Sequence, residues 1–172
     1  MQPEARSERT AAVQARPLAE LLQCPPAAGE LLNGSAQCMD VGVGEIVFRQ
    51  SEACRGLYVV ISGQFLRRTE RLETRLTLGV ARTGDLLELA AVLGDERHTY
   101  TLSAQVDGAI LLLPMAALKR AFEAYPRLRM QLLEELAREV SRGYDASCQN
   151  RAPRVQRRGA GEHQAKAQGL QI

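Results

Sequence analysis

The feature that most constrains this chain is a series of short, β-rich segments that glycines or charged turns interrupt every few residues. The series runs from Ala36 to Leu113. Segments of this length and spacing are typical of an antiparallel β-roll or sandwich, because each turn reverses the chain. The predicted strands are Gln37–Val41, Ile46–Arg49, Leu57–Ser62, Phe65–Glu70, Arg75–Val80, Thr99–Gln105 and Ala109–Leu113. We predict that residues 65–78 form an exposed, charged hairpin.

Helical patterns flank this region on both sides. Leucines between Pro17 and Leu32 are spaced for two short amphipathic helices, which the Pro25–Pro26 pair separates. After the last strand, Pro114 and Pro126 each begin a predicted helix, because proline suits the first helical position. The second of these helices is predicted to stop at Gly143.

Together these patterns predict one mainly β domain with flanking helices over residues 17–145. Residues 1–16 and 146–172 are polar and offer little to bury, so we expect both segments to be disordered. Residues 151–172 hold five basic residues and one acidic residue, although the whole chain has a net charge of +2. The predicted domain is therefore nearly neutral, and the C-terminal tail is basic.

Composition excludes several classes of function. A nearly neutral domain with only 4% aromatic residues lacks the basic, aromatic surface of a specific nucleic-acid binder. The N-terminus has no apolar signal segment, and the longest apolar run, Ala109–Met115, is too short to span a membrane. We therefore expect a cytoplasmic protein without specific DNA binding or membrane insertion.

The cysteines and histidines are too few and too scattered to predict a metal centre or a catalytic site. The cysteines are Cys24, Cys38, Cys54 and Cys148. No pair has CxxC spacing, and the tight cluster of an iron–sulfur protein is missing. With only two histidines and no hydrolase or phosphate-loop motif, we expect no metal and no enzyme activity. Cys54 precedes Arg55 in a predicted turn, so we expect an exposed thiol, which is either an unreactive surface cysteine or a reactive group that a redox sensor can use.

Two stretches carry a resemblance to a known family. Residues 44–50 read GEIVFRQ, and residues 57–63 read LYVVISG, with Gly63 suited to a positive φ before the next strand. This order resembles the cyclic-nucleotide-binding domain of the catabolite-activator and fumarate–nitrate regulator superfamily, whose pattern is G-E-x-[IVL]-[FY]-x-x-G-D, then L-Y-x-[VI]-x-x-G. The chain has Ser51 where that pattern has glycine, and Glu52 for the following acid. The resemblance implies a jelly-roll β-roll followed by a C-terminal helical pair.

Residues 84–93 read GDLLELAAVL and resemble the family's phosphate-binding cassette, G-[DE]-x-[FLIV]-G-E-[LM]-A-x-[LF]. The resemblance implies that backbone N–H groups of a short helix bind the cyclic phosphate, that a Glu binds the ribose 2′-OH and that an Arg pairs with the phosphate. Glu88 stands at the Glu position if one residue is deleted, and Leu87 then replaces the glycine. The family's spacing places His98 at the Arg position with Thr99 after it, whereas a one-residue slip uses Arg97.

The candidate ligand contacts are therefore Gly84, Leu87, Glu88, Leu89, Ala90, Arg97, His98 and Thr99. The cassette is degenerate, because a Leu replaces a glycine and a His, mostly neutral at pH 7, replaces an Arg. The competing interpretation is that Glu88, Arg97 and His98 are surface loop residues.

The predicted function is a stand-alone sensor, without a helix-turn-helix domain, that binds cyclic AMP, cyclic GMP or another small anion and signals through its C-terminal helices. The alternatives are a degenerate interaction module that binds no nucleotide and a redox sensor based on Cys54. A homodimer through residues 127–143 is also predicted, because Leu133, Leu136 and Val140 form a helical seam that Leu132 widens. The alternative is that these side chains cover their own roll.

Overall fold

A computed structural model describes residues 18–71 and 74–151 of the chain. The predicted N-terminal segment 1–16 and most of the predicted tail, residues 152–172, lie outside the described residues. The helices are α1 (Leu18–Leu21), α2 (Pro26–Asn33), α3 (Leu89–Leu93), α4 (Met115–Ala124) and α5 (Pro126–Arg151). The strands are β1 (Gln37–Val41), β2 (Ile46–Phe48), β3 (Gly56–Ser62), β4 (Gln64–Arg71), β5 (Thr74–Arg82), β6 (Leu86–Leu87), β7 (Thr101–Ala104) and β8 (Gly108–Pro114).

The strands form two antiparallel, four-stranded sheets, which confirms the predicted mainly β fold with flanking helices. One sheet has the order β1-β8-β3-β6 and the other β2-β7-β4-β5. Strands distant in sequence pair at the centre of each sheet, as when Tyr58 of β3 faces Leu112 of β8. Side chains from both sheets enter one apolar core, in which Phe65, Leu102 and Ile110 are fully buried. Burial of apolar surface on this scale is the main stabilising contribution to such a fold.

Prolines lie at the starts of three helices, as the sequence predicts for Pro114 and Pro126. Pro26 is the first residue of α2, Pro114 immediately precedes α4, and Pro126 is the first residue of α5. Helices α2, α4 and α5 each contribute to the core that the sheets share, through Leu32, Leu118 and Leu128 respectively. Among the described residues, no helix combines the length and apolar character that a membrane span requires.

The predicted helix stop at Gly143 is wrong. Helix α5 continues through Gly143 to Arg151, and so includes residues 146–151 of the predicted tail. A glycine weakens a helix by only about 1 kcal/mol relative to alanine, so a single glycine does not by itself end a helix. Residue contacts divide the chain into two units between Arg138 and Glu139. The predicted domain end at residue 145 stays a prediction.

Candidate ligand-binding site

The predicted cassette forms a tight turn, the short strand β6 and the five-residue helix α3. Gly84 is exposed with a φ of 91°, a conformation that glycine adopts at little cost. Leu87 pairs with Tyr58 of β3 and is buried, as is Leu89 at the start of α3. Ala90 is exposed. Two core leucines of the cassette therefore lie between the exposed residues Gly84 and Asp85 on one side and the exposed Ala90 on the other.

Glu88 is buried at the junction of β6 and α3. Its exposed fraction is 3%. Its Oε2 accepts a hydrogen bond from the backbone N–H of Thr99 at 3.1 Å, and its Oε1 accepts one from the Thr99 hydroxyl at 3.3 Å. A buried carboxylate without such partners is strongly disfavoured. Glu88 thus joins the cassette to the loop that precedes β7.

His98 lies beside this carboxylate and is also buried. Its ring stacks on Phe48 with a centroid separation of 3.9 Å and an interplanar angle of 5°. Its Nδ1 is 3.2 Å from Oε2 of Glu88, yet that atom has no hydrogen-bond partner of suitable geometry. The interpretation of Glu88 and His98 as surface loop residues is wrong, because each is only 3% exposed. Arg97 is exposed, as that interpretation requires.

The backbone of Glu88 bears on how the cassette is aligned. Glu88 has a φ of 71°, in the left-handed region that favours glycine. Counting along GDLLELAAVL without a deletion places Glu88 at the second glycine of the family pattern and Leu89 at its glutamate. The left-handed conformation fits this register. In the register without a deletion, the buried Leu89 occupies the position of the glutamate that binds the ribose in the family pattern.

A cavity of about 510 Å³ opens beside the cassette. The lining residues are Gln50, Ser51, Thr69, Leu76, Leu78, Asp95, Arg97, His98 and Thr99. The structure therefore brings together three predicted contacts, Arg97, His98 and Thr99. The other five do not line this cavity, and they are Gly84, Leu87, Glu88, Leu89 and Ala90.

The cavity combines an apolar wall with a polar rim that holds one base, Arg97, and one acid, Asp95. Leu76 and Leu78 of β5 are 47% and 50% exposed, and both line the cavity. Opposite them, a guanidinium nitrogen of Arg97 donates to the Ser51 carbonyl at 3.0 Å. Arg97 suits an anionic group of a ligand, and the two leucines suit its flat or apolar part. Sequence reasoning missed both leucines, although their two-residue spacing was a detectable sign of one strand face.

Cys54 is not the exposed thiol that the sequence predicts. It is 7% exposed, and its Sγ donates to the Gly56 carbonyl at 3.2 Å. Burial raises the pKa of the Cys54 thiol to about 11. The reason is a long-range pairing, in which Ala53 bridges to Arg97 and the N–H of Cys54 donates to the carbonyl of Glu96. The turn that holds Cys54 is thereby covered by the loop before β7.

This pairing also gathers three potential metal ligands that are scattered along the sequence. One donor atom from each of Cys54, Glu88 and His98 lies within 4.8 Å of the others. All three residues are buried. The expectation of no metal was based on the spacing of possible ligands along the sequence. That spacing cannot reveal Cys54, Glu88 and His98, which are brought together only by folding.

Comparison with known proteins adds a family and a fold. The family model described as "Cyclic nucleotide-binding domain" matches residues 40–125. A search of functionally curated proteins finds no match to the chain.

Several solved structures share the fold at low sequence identity. The sensor domain of the transcriptional regulator DNR from Pseudomonas aeruginosa is 23% identical with a TM-score of 0.63, and the match covers 83% of this chain and 95% of that one. The catabolite activator protein of Thermus thermophilus is 22% identical with a TM-score of 0.65, over 78% of this chain and 62% of that one. A cyclic nucleotide-binding domain from Methylobacillus flagellatus KT is 13% identical with a TM-score of 0.68, over 80% and 84%. At these identities the likeness establishes the fold alone.

Proposed function

The chain belongs to the cyclic nucleotide-binding domain family, and from this premise we propose that it is a non-enzymatic regulatory sensor that binds a cyclic nucleotide in the cavity beside the cassette. The observation that carries the proposal is the lining of that cavity. It offers a guanidinium, a buried imidazole and two exposed leucines within one concave site of about 510 Å³. Ligand sites of small molecules are of this size and character.

In this proposal Arg97 binds the cyclic phosphate. The Arg97 side chain is exposed and its guanidinium has donors beyond the one that bonds to Ser51, so it can form a charge-assisted pair with an anion. Leu76 and Leu78 pack against the base. Glu88 holds the Thr99 backbone in place through its two hydrogen bonds and does not bind the ribose. Loss of the ribose contact predicts weaker binding than a complete cassette provides.

In this proposal, ligand binding is signalled by a change in the packing of the helices that follow β8. The N–H of Met115 at the start of α4 donates to the carbonyl of Arg55, in the loop that leads into β3. Ala117, Leu118 and Ala121 of α4 are buried in the same core as the sheets. A ligand that shifts the loops around Cys54 and Arg97 therefore changes the packing surface on which α4 rests.

The second candidate is a degenerate module that binds no nucleotide and acts by association with a second copy. Two observations favour it. Leu89 occupies the position of the ribose acceptor in the register without a deletion, and Met130, Leu133 and Val140 of α5 are exposed apolar side chains. A homodimer through residues 127–143 is compatible with either candidate.

The redox sensor is the least supported alternative. A thiol with a pKa of about 11 is a thiolate in roughly one molecule in ten thousand at pH 7. The described cysteines Cys24, Cys38 and Cys54 are free, which fits the reducing cytoplasm that we propose as its compartment.

Thermal unfolding with and without ligand separates the two leading candidates. A ligand that binds only the folded state raises the midpoint in proportion to RT ln(1 + [L]/Kd). We expect cyclic AMP or cyclic GMP at millimolar concentration to raise the midpoint, linear 5′-AMP to have less effect, and Arg97→Ala to remove the shift. An absence of any shift with both cyclic nucleotides would support the degenerate module.

A further inference from the structure

We propose that Cys54, Glu88 and His98 form a binding site for one Zn²⁺ ion. The three side chains come from the turn before β3, the end of β6 and the loop before β7. They supply a sulfur, a carboxylate oxygen and an imidazole nitrogen, all within 4.8 Å of one another. This mixed set suits a borderline cation such as Zn²⁺, whereas Mg²⁺ and Ca²⁺ prefer oxygen alone.

One pair of donor atoms, on His98 and Glu88, has the separation expected in a tetrahedral site. With Zn–N and Zn–O bonds of about 2.0–2.1 Å, the two donor atoms lie about 3.3 Å apart. Nδ1 of His98 and Oε2 of Glu88 are 3.2 Å apart. A sulfur at a Zn–S distance of about 2.3 Å lies about 3.6 Å from each of them. Cys54, whose Sγ lies within 4.8 Å of a donor atom of each of the other two residues, would have to move toward them to complete the geometry.

An unpartnered buried atom points to a missing ligand. Nδ1 of His98 is shielded from solvent and has no hydrogen-bond partner of suitable geometry, although stacking on Phe48 fixes the ring. Buried polar atoms in folded proteins are rarely left in this state. A cation between His98 and Glu88 gives that nitrogen a partner.

The surroundings supply the support that metal ligands need. The carboxylate of Glu88 is held by the N–H and the hydroxyl of Thr99, as ligating carboxylates commonly are. His98 and Thr99 also line the cavity, which gives a cation and a water molecule a route to the cluster. Three protein ligands leave the fourth position of the tetrahedron to that water.

The three side chains and one Zn²⁺ ion together form a cluster without net charge. Zn²⁺ replaces the proton of the Cys54 thiol, which leaves to solvent, and the hydrogen bond from Sγ to the Gly56 carbonyl is lost with it. One thiolate and one carboxylate then neutralise the two charges of the ion, and the imidazole stays neutral. A neutral buried cluster avoids the cost of an uncompensated charge.

Cobalt substitution tests the proposal on the full chain. After the protein has been stripped with a chelator, Co²⁺ is titrated while the near-ultraviolet thiolate-to-cobalt charge-transfer band is recorded, and Zn²⁺ is then added. We expect one equivalent of Co²⁺ to produce the band and Zn²⁺ to abolish it. Cys54→Ser should remove the band and weaken Co²⁺ binding by at least tenfold, whereas the exposed Cys38 offers the control Cys38→Ser, which should change neither.

Circular dichroism establishes whether each variant folds, and Cys54→Ala replaces Cys54→Ser if the serine variant does not. The proposal is overturned if the wild-type chain gives no charge-transfer band. It is equally overturned if a folded Cys54 variant keeps the band and the affinity of the wild type.

Discussion

Ser51 adopts a backbone conformation that its side chain disfavours. Its φ is 68°, and the resembling family pattern has glycine at this place. Its N–H donates to the carbonyl of His98, and its own carbonyl accepts from Arg97, so the loops on both sides determine the conformation. A residue with a Cβ in the left-handed region costs about 1–2 kcal/mol. The turn beside the cavity therefore contains local strain that the surrounding hydrogen bonds maintain.

Replacing this serine by glycine should stabilise the protein. We expect Ser51→Gly to raise the free energy of unfolding by about 0.5–1 kcal/mol, because relief of strain exceeds the extra chain entropy of glycine. Urea unfolding measures the change. Ser62→Gly, in strand β3, is the matched control and should lower stability. A loss of stability in Ser51→Gly as large as that of the control would show that Ser51 is unstrained.

Cys38 and Cys54 should differ sharply in reactivity. Cys38 lies exposed on β1, whereas Cys54 is buried. We expect iodoacetamide to alkylate Cys38 at least about 100-fold faster in the metal-free native protein, because reaction at Cys54 requires local opening. Peptide mass spectrometry over time measures both rates, with the urea-unfolded chain as the control, in which the rates should converge. Comparable native rates would contradict the burial of Cys54.

At the scale of the elements, the sequence predicts features that depend on neighbouring residues. Gly63 has the predicted positive φ of 88°, and Pro126 begins a helix as expected. These features follow from the φ angles that glycine and proline can adopt, which do not depend on distant parts of the chain.

The elements that escaped prediction depend on distant partners. Strand β6 has two residues and exists because it pairs with Val59 and Tyr58, so no periodicity within it reveals it. Cys54 is buried by a loop more than forty residues further along the chain. The same holds for the cavity, which joins β4 and β5 to residues 95–99. Local patterns therefore locate the roll, whereas the site forms only through long-range contacts.

Helix α5 has two sets of apolar side chains, one buried and one exposed, whereas the predicted seam treated residues of both sets as a single stripe. Leu128 and Leu132 are buried in the core of their own chain, and Leu136 packs partly against it. Leu133 and Val140 are exposed, as is Met130, which the predicted seam did not include. The spacing of 130, 133 and 140 is that of a coiled-coil seam.

Two substitutions on adjacent residues distinguish these stripes. If the exposed stripe forms a dimer, Leu133→Glu should convert a dimer to a monomer with little loss of monomer stability, because that side chain faces solvent. Leu132→Ala should instead lower the free energy of unfolding by about 2–4 kcal/mol, since it opens a cavity in the core. Light scattering over a concentration series and urea unfolding measure the two effects. A monomeric wild-type protein at high micromolar concentration would contradict the dimer.

At the scale of the whole molecule, one folded domain over residues 17–145 stays a prediction that proteolysis can test. Peptide bonds in folded segments are protected from cleavage, because a protease cuts only segments that have opened and opening costs free energy. We expect trypsin under native conditions to leave a single core that ends near residue 145, although α5 continues to Arg151. Mass spectrometry identifies its ends. A second stable fragment from residues 145–172 would contradict one-domain organisation.

Isothermal titration calorimetry of the full chain against cyclic AMP and cyclic GMP tests the proposed sensor most directly. We predict one site per chain for at least one of the two nucleotides, with a Kd on the order of 10 μM, because the ribose acceptor is missing. Arg97→Ala should weaken binding by at least about tenfold, the cost of a lost charge-assisted hydrogen bond. Arg129→Ala, an exposed arginine on α5 that does not line the cavity, should leave it unchanged. No binding of either nucleotide at concentrations up to about 1 mM, or equal affinity in the Arg97→Ala variant, would contradict the account.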